Sequence, residues 1–126
     1  MITEDYVSFE IAKLLQEKGF DESTSMVYMS YGELCKLDRF ESICNSNYND
    51  ITKSYFKYTA PTLQMAMKWL REVHHYLIVV GNKNGNYLYL IKDLKANTDL
   101  GISDDEYIRY EEACESAIKY CLENLI

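Results

Sequence analysis

Histidine and acidic residues could bind a metal ion in this chain, but their spacing favours structural roles. The two histidines are adjacent, His74 and His75. Neighbouring residues of a helix point about 100° apart, so both cannot bind one metal while the helix continues. Near a helix C-terminus, the helix dipole instead favours the cationic form of a histidine. The three consecutive acids at 104–106 are typical of a solvated surface. The sequence therefore predicts no metal site.

The cysteines are the candidate nucleophiles, and no motif supports that chemistry. Four are present, at positions 35, 44, 114 and 121, and no Cys-x-x-Cys pair occurs. Cys114 and Cys121 lie on one predicted helix, separated by about 10 Å along its axis, too far for a disulfide. Cys35 or Cys44 with either histidine could form a nucleophile–base couple, but any chain with these residues permits one. Glycine-rich phosphate loops and the G-x-S-x-G elbow are also absent. We expect reduced thiols, no cofactor and no catalytic site.

A β-hairpin is the clearest element that the sequence predicts. The runs at 76–81 and 87–93 flank a segment whose Asn84-Gly85 pair suits a type I′ turn. Centring the register on that pair places Val80 opposite Tyr89, Val79 opposite Leu90 and Ile78 opposite Ile91. One side of the hairpin, the leucine face, carries Leu77, Val79, Leu88 and Leu90. The other side, the tyrosine face, carries Tyr76, Ile78, Val80, Tyr87, Tyr89 and Ile91.

Both faces of this hairpin are apolar, so neither can simply face water. Three helices of the predicted length suffice to cover one sheet face, and an uncovered tyrosine face would exceed the apolar patch that monomers usually expose. The sequence therefore predicts that the tyrosine face is an interaction surface that forms a homodimer. The alternative is that the C-terminal helix crosses to that side and buries it within one chain.

The remaining patterns predict a single α+β domain spanning residues 1–126. Helices are predicted at 7–18, 61–75 and from about 110 to 125, with Ser8 capping the first helix and Gly19 ending it. Pro61 is expected at the first position of the second helix, whose apolar stripe is Leu63, Ala66, Met67, Leu70 and Val73. Strands are predicted near 24–31, 34–37 and 53–58, and loops at 45–50 and 94–105. The expected order is α-β-β-(β)-α-β-β-α, with an antiparallel sheet of three to five strands packed by about three helices.

The charge distribution offers an alternative binding surface. The net charge of −7 divides into −6 over residues 1–50, +5 over 51–92 and −6 over 93–126. The basic segment and its acidic flanks would pair on a folded surface, but lysine beside tyrosine could also bind phosphates and stack on bases. This basic patch would comprise Lys53, Tyr55, Lys57, Tyr58, Lys68, Arg71 and Lys83. An acidic N-terminus and the absence of a long apolar run predict a cytoplasmic protein without membrane contact.

Three segments carry a resemblance to a known family. They are EDYVSFEIAKLL at 4–15 with GFDE at 19–22, APTLQMAMKWLRE at 60–72, and YEEACE at 110–115 with CLENLI at 121–126. In these segments the chain resembles a family of small uncharacterised proteins of Bacteroides-type gut bacteria and their phages or prophages. The resemblance implies an intracellular, mobile-element setting and transfers no catalytic residue.

We therefore expect a non-enzymatic protein-interaction module, phage- or prophage-derived, that binds itself and a host or phage protein. A nucleic-acid-associated accessory protein that uses residues 51–92 is the alternative, and an enzyme of unknown class is the third reading.

Overall fold

A computed structural model describes residues 2–37, 42–45 and 56–126. Over these ranges the protein has the predicted α+β class, with three α-helices and two three-stranded antiparallel sheets in place of one larger sheet. The chain divides into two compact units, one of Tyr6–Thr62 and one of Met1–Asp5 with Leu63–Ile126. That the whole chain forms a single domain stays a prediction.

Helix α1 (Phe9–Glu17) begins and ends where its sequence signals predict. The Ser8 hydroxyl accepts a hydrogen bond from the Ile11 N–H at 3.3 Å, which satisfies a donor of the first turn. Gly19 follows the helix with a φ of 91°, a left-handed conformation that glycine adopts without strain. Phe20 then folds back, since its side chain is buried and its N–H donates to the Leu15 carbonyl at 2.9 Å.

The sheet of this unit has the strand order β2-β1-β3. Its strands are β1 (Met26–Met29), β2 (Leu34–Lys36) and β3 (Phe56–Thr59). All three were predicted, although the predicted residues 53–55 and the loop residues 46–50 lie outside the described ranges. Val27 and Ile43 form a buried cluster against which Met29 and Leu37 pack. This unit therefore has an apolar core of its own.

Helix α2 (Leu63–His74) belongs to the second unit, and it begins two residues later than predicted. Pro61 is not its first residue; the Pro61 carbonyl instead accepts from the Val7 N–H at 3.1 Å, outside the helix. The first four residues of the predicted apolar stripe are buried, as expected. Its fifth residue, Val73, is 51% exposed, and Trp69 is buried instead. A stripe assigned at regular helical spacing cannot foresee which of two edge residues packs inward.

Strands β4 (Tyr76–Lys83) and β5 (Asn86–Asp93) form the predicted hairpin. Val80 pairs with Tyr89, Val79 with Leu90 and Ile78 with Ile91, so the predicted register is confirmed. Asn84 and Gly85 have φ values of 54° and 90°, as a type I′ turn requires at both central positions.

A third strand, β6 (Thr98–Ile102), completes the order β4-β5-β6. The sequence prediction of a loop at 94–105 is therefore wrong over these five residues. Every residue of β6 is exposed, and the pairing with β5 shifts register between Ile91 and Lys92. Such a strand lacks the alternating apolar pattern, because it forms by hydrogen bonding to β5 and buries little of its own surface.

Helix α3 (Tyr110–Tyr120) is the last α-helix, and a π-helical turn, Cys121–Leu125, follows it directly. Its buried side is the predicted one and holds Cys114, Ala117, Ile118 and Cys121, joined by Ala113 and Leu122. This side packs on the hairpin and against α2. None of the helices in the described ranges is long and apolar enough to cross a membrane.

Candidate functional site

The tyrosine face of the hairpin is covered within the chain by α3. The Tyr76 hydroxyl donates to the Leu125 carbonyl at 3.2 Å, and the Tyr87 ring meets the Tyr110 ring edge-on at 5.9 Å. Ile91 is fully buried. The structure thus has the alternative arrangement, in which the C-terminal helix crosses to this side. An interaction role for the six residues stays a prediction, but its stated reason, an uncovered apolar face, does not hold.

The leucine face of this sheet carries the more exposed apolar side chains. Side chains alternate along a strand, so Val79 points away from the face that α3 covers. Val79 is 45% exposed, and Leu77, Leu88 and Leu90 are half-buried. Ile102 of β6 pairs with Leu90, which places it on the same face, and it is 64% exposed. The leucine face, extended by Ile102, is a candidate contact surface.

The predicted basic patch does not form one group within either unit. Its members fall into three sets: Lys53 and Tyr55 outside the described residues, Lys57 and Tyr58 in the Tyr6–Thr62 unit, and Lys68, Arg71 and Lys83 in the other unit. Tyr58 is buried, with its ring packed against Phe9 at 5.3 Å, so it offers no free face for a base to stack on. Among the described residues, neither unit holds more than three members of this patch.

The histidines and cysteines are placed as structural groups. The His74 ring packs edge-on against Trp69 at 4.7 Å, and burial followed by the nearby His75 lowers the pKa of His74. The expectation of a cationic histidine is thus wrong for His74, because desolvation opposes the helix dipole there. All four cysteines are free thiols. Burial raises the pKa of Cys114, and it raises the pKa of Cys121 to about 12. Among the described residues, no three His, Cys, Asp or Glu gather where they could hold a metal.

A pocket of about 310 Å³ lies beside β5 in the Leu63–Ile126 unit. Three tyrosines line it, namely Tyr89 on β5, Tyr107 and, at the end of α3, Tyr120. Asp104 and Asp105 add two carboxylates, and none of the described lining residues is a lysine or arginine. The pocket is therefore aromatic and acidic. We call it the tyrosine pocket.

Hydrogen bonds fix the wall of the tyrosine pocket at residues 103–107 against β5. The Ser103 hydroxyl accepts from the Tyr89 N–H at 3.2 Å and donates to the Asp105 carbonyl at 2.8 Å. The Ser103 N–H donates to the Tyr89 carbonyl at 2.8 Å, and Tyr107 exchanges two backbone bonds with Tyr87 at 2.7 Å each. These bonds hold the backbone of residues 103–107 against β5 before any ligand arrives.

The rings of Tyr89 and Tyr107 stack, with centroids 6.3 Å apart and planes 24° from parallel. Burial, and then the proximity of Tyr107, Tyr120, Cys121 and Asp104, raises the pKa of Tyr89, so its phenol stays neutral at physiological pH. This site was not predicted, because the sequence pattern indicated a loop at 94–105 and a solvated surface for the acids at 104–106. The available signal was the acidic run at 104–106, which is followed directly by Tyr107.

No protein-family model, curated protein or solved structure matches the chain. The structure defines the class of the protein, an α+β protein with two small antiparallel sheets. Any functional argument therefore rests on the residues of this chain.

Proposed function

We propose that the protein is a non-enzymatic protein-interaction module that self-associates through the leucine face of its β4-β5-β6 sheet. The observation that carries the proposal is the exposure of Val79 and Ile102 beside three half-buried leucines on one flat face. Contiguous apolar patches on soluble proteins mark contact surfaces more often than isolated apolar residues do. A phage or prophage origin is part of this proposal and rests only on the sequence resemblance of the three helical segments.

A second copy of the chain is the partner that this surface favours. A two-fold axis brings the same patch of two copies together, so an apolar face meets an apolar face without a dedicated partner. Two of the four thiols, Cys114 and Cys121, are poorly suited to nucleophilic catalysis, which supports the non-enzymatic part of the proposal. The thiolate is the nucleophilic form of cysteine, and burial raises the pKa of both Cys114 and Cys121.

Sedimentation equilibrium tests the proposal with a matched pair of variants. Val79→Lys puts a charge in the centre of the leucine face, at a position exposed enough to accept it in the folded chain. Val73→Lys makes the same change on α2, at a similarly exposed valine. We expect concentration-dependent dimers for the wild type and Val73→Lys, and monomers for Val79→Lys.

Two results would contradict the proposal. The first is a wild-type protein that stays monomeric at every accessible concentration. The second is a Val79→Lys variant that dimerises as strongly as Val73→Lys does.

A further inference from the structure

We propose that the tyrosine pocket binds an organic cation, a guanidinium or ammonium group. This inference goes beyond the proposed function, because it concerns a concave site and a small charged group. It rests on the juxtaposition of Tyr89, Tyr107 and Tyr120 with the carboxylates of Asp104 and Asp105 in one pocket.

Both kinds of lining group attract positive charge. The face of a tyrosine ring carries the negative part of its quadrupole, and a cation within about 6 Å of the ring centre is stabilised by it. The two carboxylates add direct charge attraction, and no basic residue among the described lining opposes it. The surrounding segment, residues 93–126, has nine acids and three bases, so its field also concentrates cations.

The size and chemistry of the pocket favour an organic ion over a bare metal ion. A volume of about 310 Å³ lies at the lower end of the range for small-molecule pockets and far exceeds the volume of one ion. The exposed lining is mostly polar, and Ile91, Leu100 and the tyrosine rings add apolar surface to it. Hard metal ions prefer shells of several oxygen ligands, whereas a guanidinium pairs its planar face with rings and its edge with carboxylates.

The pocket is also preorganised, which reduces the entropic cost of binding. Ser103 ties the acidic segment to β5 through both its hydroxyl and its N–H, and Tyr107 is held by paired backbone bonds to Tyr87. Tyr120 lines the pocket and is 41% exposed. A ligand can therefore approach past Tyr120 without unfolding the wall at 103–107.

Isothermal titration of the full chain with matched probes tests the proposal. Agmatine represents a free small cation, a blocked Gly-Arg-Gly peptide represents the side chain of a protein, and the same peptide with citrulline removes the charge at nearly constant shape. We expect both cationic probes to bind and the citrulline peptide to bind at least about tenfold more weakly. The tighter of the two cationic probes identifies the source of the cation.

Variants link the binding to the pocket. Tyr120→Leu removes one ring at an exposed position, and we expect about fivefold weaker binding, whereas Tyr120→Phe keeps the ring and binds like the wild type. Asp104→Asn with Asp105→Asn should weaken binding about tenfold at low salt. Tyr31→Leu and Asp99→Asn serve as controls, because neither residue lines the pocket.

Three results would overturn the inference. They are equal binding of the arginine and citrulline peptides, no heat of binding for either cationic probe, or unchanged affinity in a folded Tyr120→Leu variant. The dimerisation test changes only Val79, which does not line the pocket, although Ile102 belongs to both the extended leucine face and the pocket lining.

Discussion

Replacing Asn45 with alanine should destabilise the Tyr6–Thr62 unit more than any change at a polar surface position. The Asn45 side chain is only 8% exposed and makes two hydrogen bonds to the backbone. Its Nδ2 donates to the Phe20 carbonyl at 2.8 Å, and its Oδ1 accepts from the Thr59 N–H at 3.0 Å. This amide therefore ties the segment that leaves α1 to strand β3.

The magnitude follows from the two backbone groups that alanine would leave without partners. A buried donor or acceptor that loses its hydrogen bond costs about 1–3 kcal/mol. Both hydrogen bonds are buried. We expect Asn45→Ala to lower the free energy of unfolding by about 3 kcal/mol, allowing for partial relaxation of the loop.

Urea denaturation followed by far-UV circular dichroism measures this loss. Asn124→Ala is the matched control, because its Nδ2 also donates to a backbone carbonyl, that of Tyr120 at 3.2 Å, but on the exposed surface. Water replaces that bond, so the control should change the free energy of unfolding by less than about 0.5 kcal/mol. A loss below about 1 kcal/mol for Asn45→Ala, or equal losses for both variants, would refute the reasoning.

Three further predictions concern the turn, the histidines and the thiols. Gly85→Ala should lower the melting temperature, since alanine at a φ of 90° costs about 1 kcal/mol, whereas Gly81→Ala in β4 should not share this strain. Burial lowers the pKa of His74, so the unfolded chain binds a proton at this side chain more readily than the folded chain does. The free energy of unfolding should therefore fall as the pH drops through 6.5, the ordinary pKa of histidine. Urea midpoints should show this slope reduced in His74→Gln and largely kept in His75→Gln. Thiol-reagent kinetics should show Cys35 and Cys44 reacting before the buried Cys114 and Cys121, with all four reacting after unfolding; equal native rates would contradict this.

Local signals determined the elements whose geometry depends on a few neighbouring residues. Asn84-Gly85 specified the turn and, through it, the register of the whole hairpin, because only residues that accept positive φ fit a type I′ turn. Ser8 and Gly19 specified α1 in the same way, through a side-chain cap and a left-handed glycine. These interactions span four residues or fewer, so a single sequence contains them completely.

The tertiary structure decided everything that required choosing between two equivalent surfaces. Both hairpin faces are apolar, and only the path of the C-terminal helical segment determines that it packs on the tyrosine face and leaves Val79 of the leucine face exposed. Strand β6 exists because β5 offers it hydrogen bonds, and its own residues carry no strand pattern. The tyrosine pocket and the Asn45 bonds bring together residues 14 to 31 positions apart, and no local rule of spacing connects such positions. The face that is covered and the strand that forms depend on packing energy summed over many contacts between residues distant in sequence. Helical or strand periodicity contains no information about that energy.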